Sequence, residues 1–151
     1  NRRSIYIFVR RNARYPMLEV LDMPDTHESC GRRNQTITAP QALSLLNDKL
    51  TLQWAQAFAA RVLQGSGNDT NNMVQAAFRL AYGRAADGWE KDTVLTFLEK
   101  QKSIIADRVT ANEKVALPSG QLPEGLEPAR AAALVDFCHM LLNSNEFVYR
   151  N

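Results

Sequence analysis

From residue 48 to residue 142 the apolar residues recur at a helical period, and the recurrences are separated by residues that start or stop helices. Leu50, Trp54, Ala57, Phe58 and Val62 share one helix face. Gly65-Ser66-Gly67-Asn68-Asp69 ends that run and supplies a loop and a cap. Val74, Ala77, Phe78, Ala81 and Tyr82 form a second face, and Gly83 suits the left-handed position just past a helix end. Asp87 with Glu90 three residues on makes a capping box, and Trp89, Val94, Phe97, Leu98 and Ile105 carry the face behind it. Residues 112–126 hold Pro118, Gly120, Pro123 and Gly125 and read as a connector. Pro128 opens a last helix with Leu134, Phe137, Cys138, Leu141 and Leu142 on its apolar side, after which Phe147 and Tyr149 are expected to add to the core.

This pattern predicts an all-α chain, an irregular bundle of about four long helices plus short ones. The length of 151 residues suits one domain over 1–151. With 45% hydrophobic residues the chain has enough apolar material for a core. Two cysteines are too few for a disulfide-built scaffold. No C-x-x-C, haem-attachment or zinc-ligand spacing is present. Cys138 reads either as a small buried hydrophobe or, in an oxidising compartment, as a disulfide partner of Cys30.

The first 38 residues are different. Residues 1–15 fit a helix or a strand equally, because Ile5-Tyr6-Ile7-Phe8-Val9 has strand composition while Ile5, Phe8 and Val9 keep a helical spacing. Pro16 can open a short helix through Leu21, and residues 22–38 read as a long ordered loop. Thr38 suits an N-cap, with Pro40 in the first turn of a helix running to Leu46. The overall charge of +2 conceals an asymmetry. Seven arginines face four carboxylates over residues 1–38, a net +3, and the rest of the chain carries −1. The run opening at Asn1 reads as the middle of a domain, so the chain is expected to be a C-terminal fragment of a larger protein. No stretch has a signal-peptide or membrane-spanning pattern.

The stretch from Asp22 to Asp48 carries a resemblance. Pro24-Asp25, Glu28-Ser29-Cys30, Arg32-Arg33, Thr36, Thr38, Pro40-Gln41-Ala42-Leu43 and Leu45-Leu46-Asn47-Asp48 resemble the PSD-type domain of unknown function found near the C-terminus of large planctomycete and verrucomicrobial proteins. Arg2-Arg3-Ser4-Ile5-Tyr6, Leu80-Ala81-Tyr82-Gly83-Arg84 and Leu141-Leu142-Asn143-Ser144-Asn145-Glu146-Phe147 fit the same pattern. The likeness implies Asp25, Glu28, Cys30, Thr36, Pro40, Gln41 and Asn47 as motif residues. It also implies an extracytoplasmic, multidomain bacterial parent, often carrying a cytochrome c domain. Any haem would then belong to a separate domain, with no cofactor in this one.

Three functions compete for these residues. The first is a non-catalytic domain that packs on other domains of its parent, which predicts an exposed apolar patch near residues 1–21. The second is a binding module for an anion such as a sulfated or acidic polysaccharide, through Arg2, Arg3, Arg32 and Arg33, since guanidinium groups take such anions bidentately. Against it stands a structural role in which Arg32 and Arg33 pin the loop by pairing with Asp22, Asp25 or Glu28. The third is a metal-dependent enzyme using Asp25, His27 and Cys30, whose spacing matches no standard zinc pattern. His139 is expected to be solvated. No catalytic or metal residue is assigned, and nothing in the charge pattern points to nucleic acid. The tryptophans and phenylalanines on the helix faces are expected in the core rather than on a sugar platform, and the sequons at Asn34 and Asn68 are read as accidental.

Overall fold

A computed structural model describes residues 6–10, 12–25, 27–32 and 36–149. Among them the chain is all-α. Its helices are α1 (Pro16–Val20), α2 (Ala39–Asn47), α3 (Lys49–Ser66), α4 (Thr70–Tyr82), α5 (Gly88–Thr110), α6 (Pro128–Leu142) and α7 (Asn145–Val148). The chain divides into two compact units, Asn1–Leu45 and Leu46–Asn151.

In the second unit local chemistry sets each helix boundary. Asp48 breaks α2 from α3 and caps α3 by accepting from the Leu50 amide at 2.6 Å. Asp69 caps α4 in the same way through Asn71. Gly83 takes φ +76° at the end of α4, where a Cβ would be strained. The capping box of α5 is complete: Glu90 N–H donates to Asp87 Oδ1 at 2.7 Å and Asp87 N–H to Glu90 Oε2 at 2.9 Å. Pro128 occupies the first turn of α6, and Ser144 caps α7.

The core is organised around α6. It packs most extensively on α3 and α5, and also meets α4 and α7. Nine of its residues are buried, among them the run Ala131-Ala132-Ala133-Leu134-Val135. A helix apolar on nearly all sides belongs in the middle of a bundle, and its alanines let neighbouring backbones come close. Phe137 is fully buried and stacks near Phe78 of α4, with ring centroids 6.3 Å apart. The connector 112–126 lacks helix but is fastened down. Gln56 of α3 donates to the Leu117 carbonyl at 2.8 Å and its own carbonyl accepts from Ser119 N–H at 3.1 Å. Asn68 donates to the Glu124 carbonyl, so its side chain has a structural task. Pro118 and Leu126 are buried at the connector's inner side.

Three face assignments are corrected. The inward stripe of α3 is Thr51, Ala55, Ala59, Val62 and Leu63, with Phe58 at its edge, whereas Trp54 (45% exposed) and Ala57 turn to solvent. Trp89 is 76% exposed rather than a core residue, standing on the outer side of the first turn of α5. Phe147 is likewise exposed on α7. The α4 face stands as read, with Met73 added.

The first unit is mostly irregular. Residues 7–10 and 12–15 form no helix and no named strand; one isolated antiparallel bridge joins Arg10 and Ala13. The tetrad Tyr6-Ile7-Phe8-Val9 is exposed throughout. Pro16 opens α1, which ends at Val20.

Candidate functional site

Two of the motif residues, Thr36 and Gln41, are brought together with Asp22 in one hydrogen-bonded knot. Asp22 Oδ2 accepts from Thr36 N–H at 2.7 Å, and Thr36 Oγ1 donates to the same carboxylate at 2.9 Å. Gln41, 4% exposed, donates from Nε2 to Asp22 at 3.1 Å and to Thr36 Oγ1 at 3.0 Å. Its Oε1 accepts from Thr38 N–H at 3.1 Å, so this glutamine also closes the first turn of α2. A buried amide must have its groups matched, and here one side chain ties the two ends of the loop to a helix start. Asp22 adopts φ +59°, which turns the chain sharply into the loop. The knot explains why this region tolerates a long loop without regular structure.

Among the described residues Asp22, Thr36 and Gln41 fasten the loop, and Arg33 lies outside them. Asp25 pairs with Arg14, at 3.0 Å, not with Arg32. The His27 amide, 2.9 Å away, and Arg14 beside it hold the Asp25 carboxyl below the usual carboxylate range. Arg32 is exposed, and among the described residues it has no carboxylate partner; its carbonyl accepts from Cys30 Sγ at 3.2 Å. Arg2, Arg3 and Arg33 lie outside the described residues. Glu28 and Pro40 are exposed, and Asn47 closes α2.

The loop encloses an open concavity of about 430 Å³ lined by Glu19, Asp22, Asp25 and Glu28, with Arg32 and Cys30 at its side. Of these carboxylates, Glu19 and Asp25 are paired with Arg14 and Asp22 is held in the knot. No group of three or more His, Cys, Asp or Glu side chains has metal-binding geometry among the described residues. His139 is half-buried on α6, where its carbonyl accepts from Asn143.

Both cysteines are free thiols. Cys30 is exposed, whereas Cys138 is sealed in the core and burial pushes its thiol up. Titration of the native protein with a disulfide reagent should modify Cys30 quickly and Cys138 only after denaturant is added. Equal rates for both thiols would contradict the placement of Cys138.

A second polar centre lies where α4, α5 and α7 meet, and it joins two of the other motif phrases. Arg84 follows the Gly83 cap. Its Nη1 and Nη2 donate to Glu90 at 2.8 and 2.7 Å, and its Nε and Nη2 donate to Glu146 at 2.8 Å each. The guanidinium lies 5.5 Å from the ring centroids of both Phe78 and Tyr82. Tyr82 Oη donates to Ser144 Oγ at 2.8 Å. Sequence reading treated Leu80–Arg84 and Leu141–Phe147 as separate motifs; residues 62 positions apart meet here. The only local signal was an arginine placed just after a cap and before a capping box.

The electrostatics give a signed expectation. Arg84 pulls the Glu90 carboxyl from its usual 4.5 to about 2, with help from the Asp87 amide, and holds Glu146 below its usual range. Both folded values lie below the unfolded ones, so the stabilisation is complete above about pH 5. It is lost as the pH falls through the folded values. Melting temperature should drop as the buffer is taken from pH 5 toward pH 2. An Arg84→Gln chain should melt lower at pH 7 and show a shallower acid limb. An acid limb unchanged by that substitution would remove Arg84 from the account.

Among the described residues the chain is all-α, with a hydrogen-bonded loop in its first unit and an arginine-centred helix junction in its second. The chain belongs to the PSD1 family, described as a protein of unknown function (DUF1553), which matches residues 1–98. That match takes in the loop, the knot and Arg84, and stops before the Leu141–Phe147 phrase. No curated protein and no solved structure is significantly similar to the chain. No described helix is long and apolar enough to cross a membrane.

Proposed function

We propose that this chain is a non-catalytic packing domain of a larger, extracytoplasmic bacterial protein, and that its partners are other domains of that protein. The observation carrying this reading is the exposed tetrad Tyr6-Ile7-Phe8-Val9, in which Phe8 is 82% exposed. Consecutive apolar residues without a cover of their own are a feature of surfaces that bind protein. Ile7, Phe8, Val9, Tyr15, Leu18 and Met23 border a mostly apolar concavity of about 160 Å³ beside them. The extracytoplasmic setting and a haem domain elsewhere in the parent rest on the family likeness.

The test is binding in trans. The chain is mixed with the remaining domains of its full-length protein, and association is followed by calorimetry. Phe8→Asp should abolish association while leaving the helical circular dichroism intact. Undiminished binding by that variant would refute the reading. A sulfated oligosaccharide titrated at low and moderate salt tests the anion-binding alternative, for which a salt-sensitive signal lost in Arg32→Ala is required.

A further inference from the structure

We infer that Ser144–Tyr149 is a releasable strap, and that the α4–α5 corner it occupies is a docking site for an acidic peptide segment. Ser144 ties the strap to α6 through its amide and hydroxyl on the Leu141 carbonyl, and beyond it Asn145, Glu146 and Phe147 are exposed while Val148 and Tyr149 are half-buried. None of the residues in α7 is buried. Its backbone bonds from Phe147, Val148 and Tyr149 run to Ser144 and Asn145 and so stay within it. Among the described residues, its side-chain bonds to α4 and the turn after it are Tyr82 to Ser144 and Arg84 to Glu146. A segment with few apolar contacts and solvent-facing hydrogen bonds opens at a lower free energy than the bundle around it.

The corner beneath does not depend on the strap for its shape. Arg84 uses two edges of one planar guanidinium. The Nη1/Nη2 edge is gripped by Glu90, and the face lies against Phe78 and Tyr82. The remaining Nε/Nη2 edge holds Glu146. When the strap leaves, that second edge stays aimed outward by the first, with the Tyr82 hydroxyl next to it. A preoriented guanidinium edge beside aromatic rings is a receptor for a carboxylate, and lysine could not reproduce its two-point geometry. Ser144 and Glu146 show the accepted chemistry: a hydroxyl on Tyr82 and a carboxylate on the Nε/Nη2 edge. In this arrangement the chain's own strap competes with an external segment.

The test uses the full chain and a fluorescent peptide of the sequence Asn143–Tyr149. A Glu146→Gln chain, whose strap grips less, should bind the peptide roughly tenfold more tightly than the unaltered chain, because the competent open state is more populated. Arg84→Lys should lose the binding, as should a peptide carrying Gln at the Glu position. Hydrogen exchange on the same proteins should show the Phe147, Val148 and Tyr149 amides accelerating in Glu146→Gln while α6 amides stay protected, which also confirms that the variants are folded. Peptide affinity equal in the two chains, binding that survives Arg84→Lys, or strap amides that exchange in step with α6 would each overturn the inference.

Discussion

Phe137→Ala should destabilise the chain by about 3–5 kcal/mol, the usual cost of truncating a large core side chain. Phe137 is fully buried on α6, the helix that meets α3, α4, α5 and α7. Its ring lies 6.3 Å from Phe78, whose own ring stands edge-on to Tyr82 at 5.3 Å. Truncation would therefore leave a cavity beside the rings on which Arg84 rests, as well as forfeiting apolar burial. A domain of this size has a total stability on the order of 5–15 kcal/mol, so one substitution would consume much of it. Urea unfolding followed by circular dichroism measures the effect as a lower midpoint at constant slope. A loss under about 1 kcal/mol would mean that α6 is not the central helix, since surface truncations cost that little.

The second large effect is a contrast between two alanines on one helix. Ala59→Leu should cost about 1–3 kcal/mol, because extra methylenes in a packed core force side chains and backbone apart. Ala59 is fully buried on the stripe of α3 that includes Ala55 and Val62, and α3 packs extensively on α6. Ala57→Leu, two residues away on the exposed side, should change stability by less than about 0.5 kcal/mol. The pair tests the register of α3 directly. Periodicity alone places Ala57 inward with Trp54, and on that register the two costs would be reversed.

That contrast shows where sequence reading reaches its limit. In α3 the large residues Trp54 and Phe58 draw the eye to one face, but the helix buries its small residues instead. Ala55 and Ala59 in the inward stripe face an α6 that is also alanine-rich, and small residues on both sides let the two helices approach closely. Periodicity detects hydrophobicity and is blind to this choice. In α6 the pattern is hard to orient for another reason: Ala131–Val135 is apolar without interruption, which signals burial on several sides but not which neighbours supply it.

The loop makes the same point with polar groups. Charge counting points to Arg32 and Arg33 as its fasteners, and Arg33 lies outside the described residues. Among the described residues the fasteners are Asp22, Thr36 and Gln41, which act through short hydrogen bonds to backbone and side chains. A buried amide with every group matched gains more than an exposed ion pair. Two of these three residues were marked by the family likeness, though nothing in the spacing said that they would meet.

The sequence by itself determined the class of the fold and the ends of its helices. Asp48, Asp69, Gly83, Asp87 with Glu90, and Pro128 act on backbone groups within a few residues, so their effect is written locally. Only the tertiary structure decided which face of α3 turns inward, that α6 stands at the centre, and that Arg84 joins Glu90 to Glu146 across 62 residues. Those outcomes depend on shape and distance between segments far apart in the chain, and the strength of each contact is set by neighbours that no local window contains.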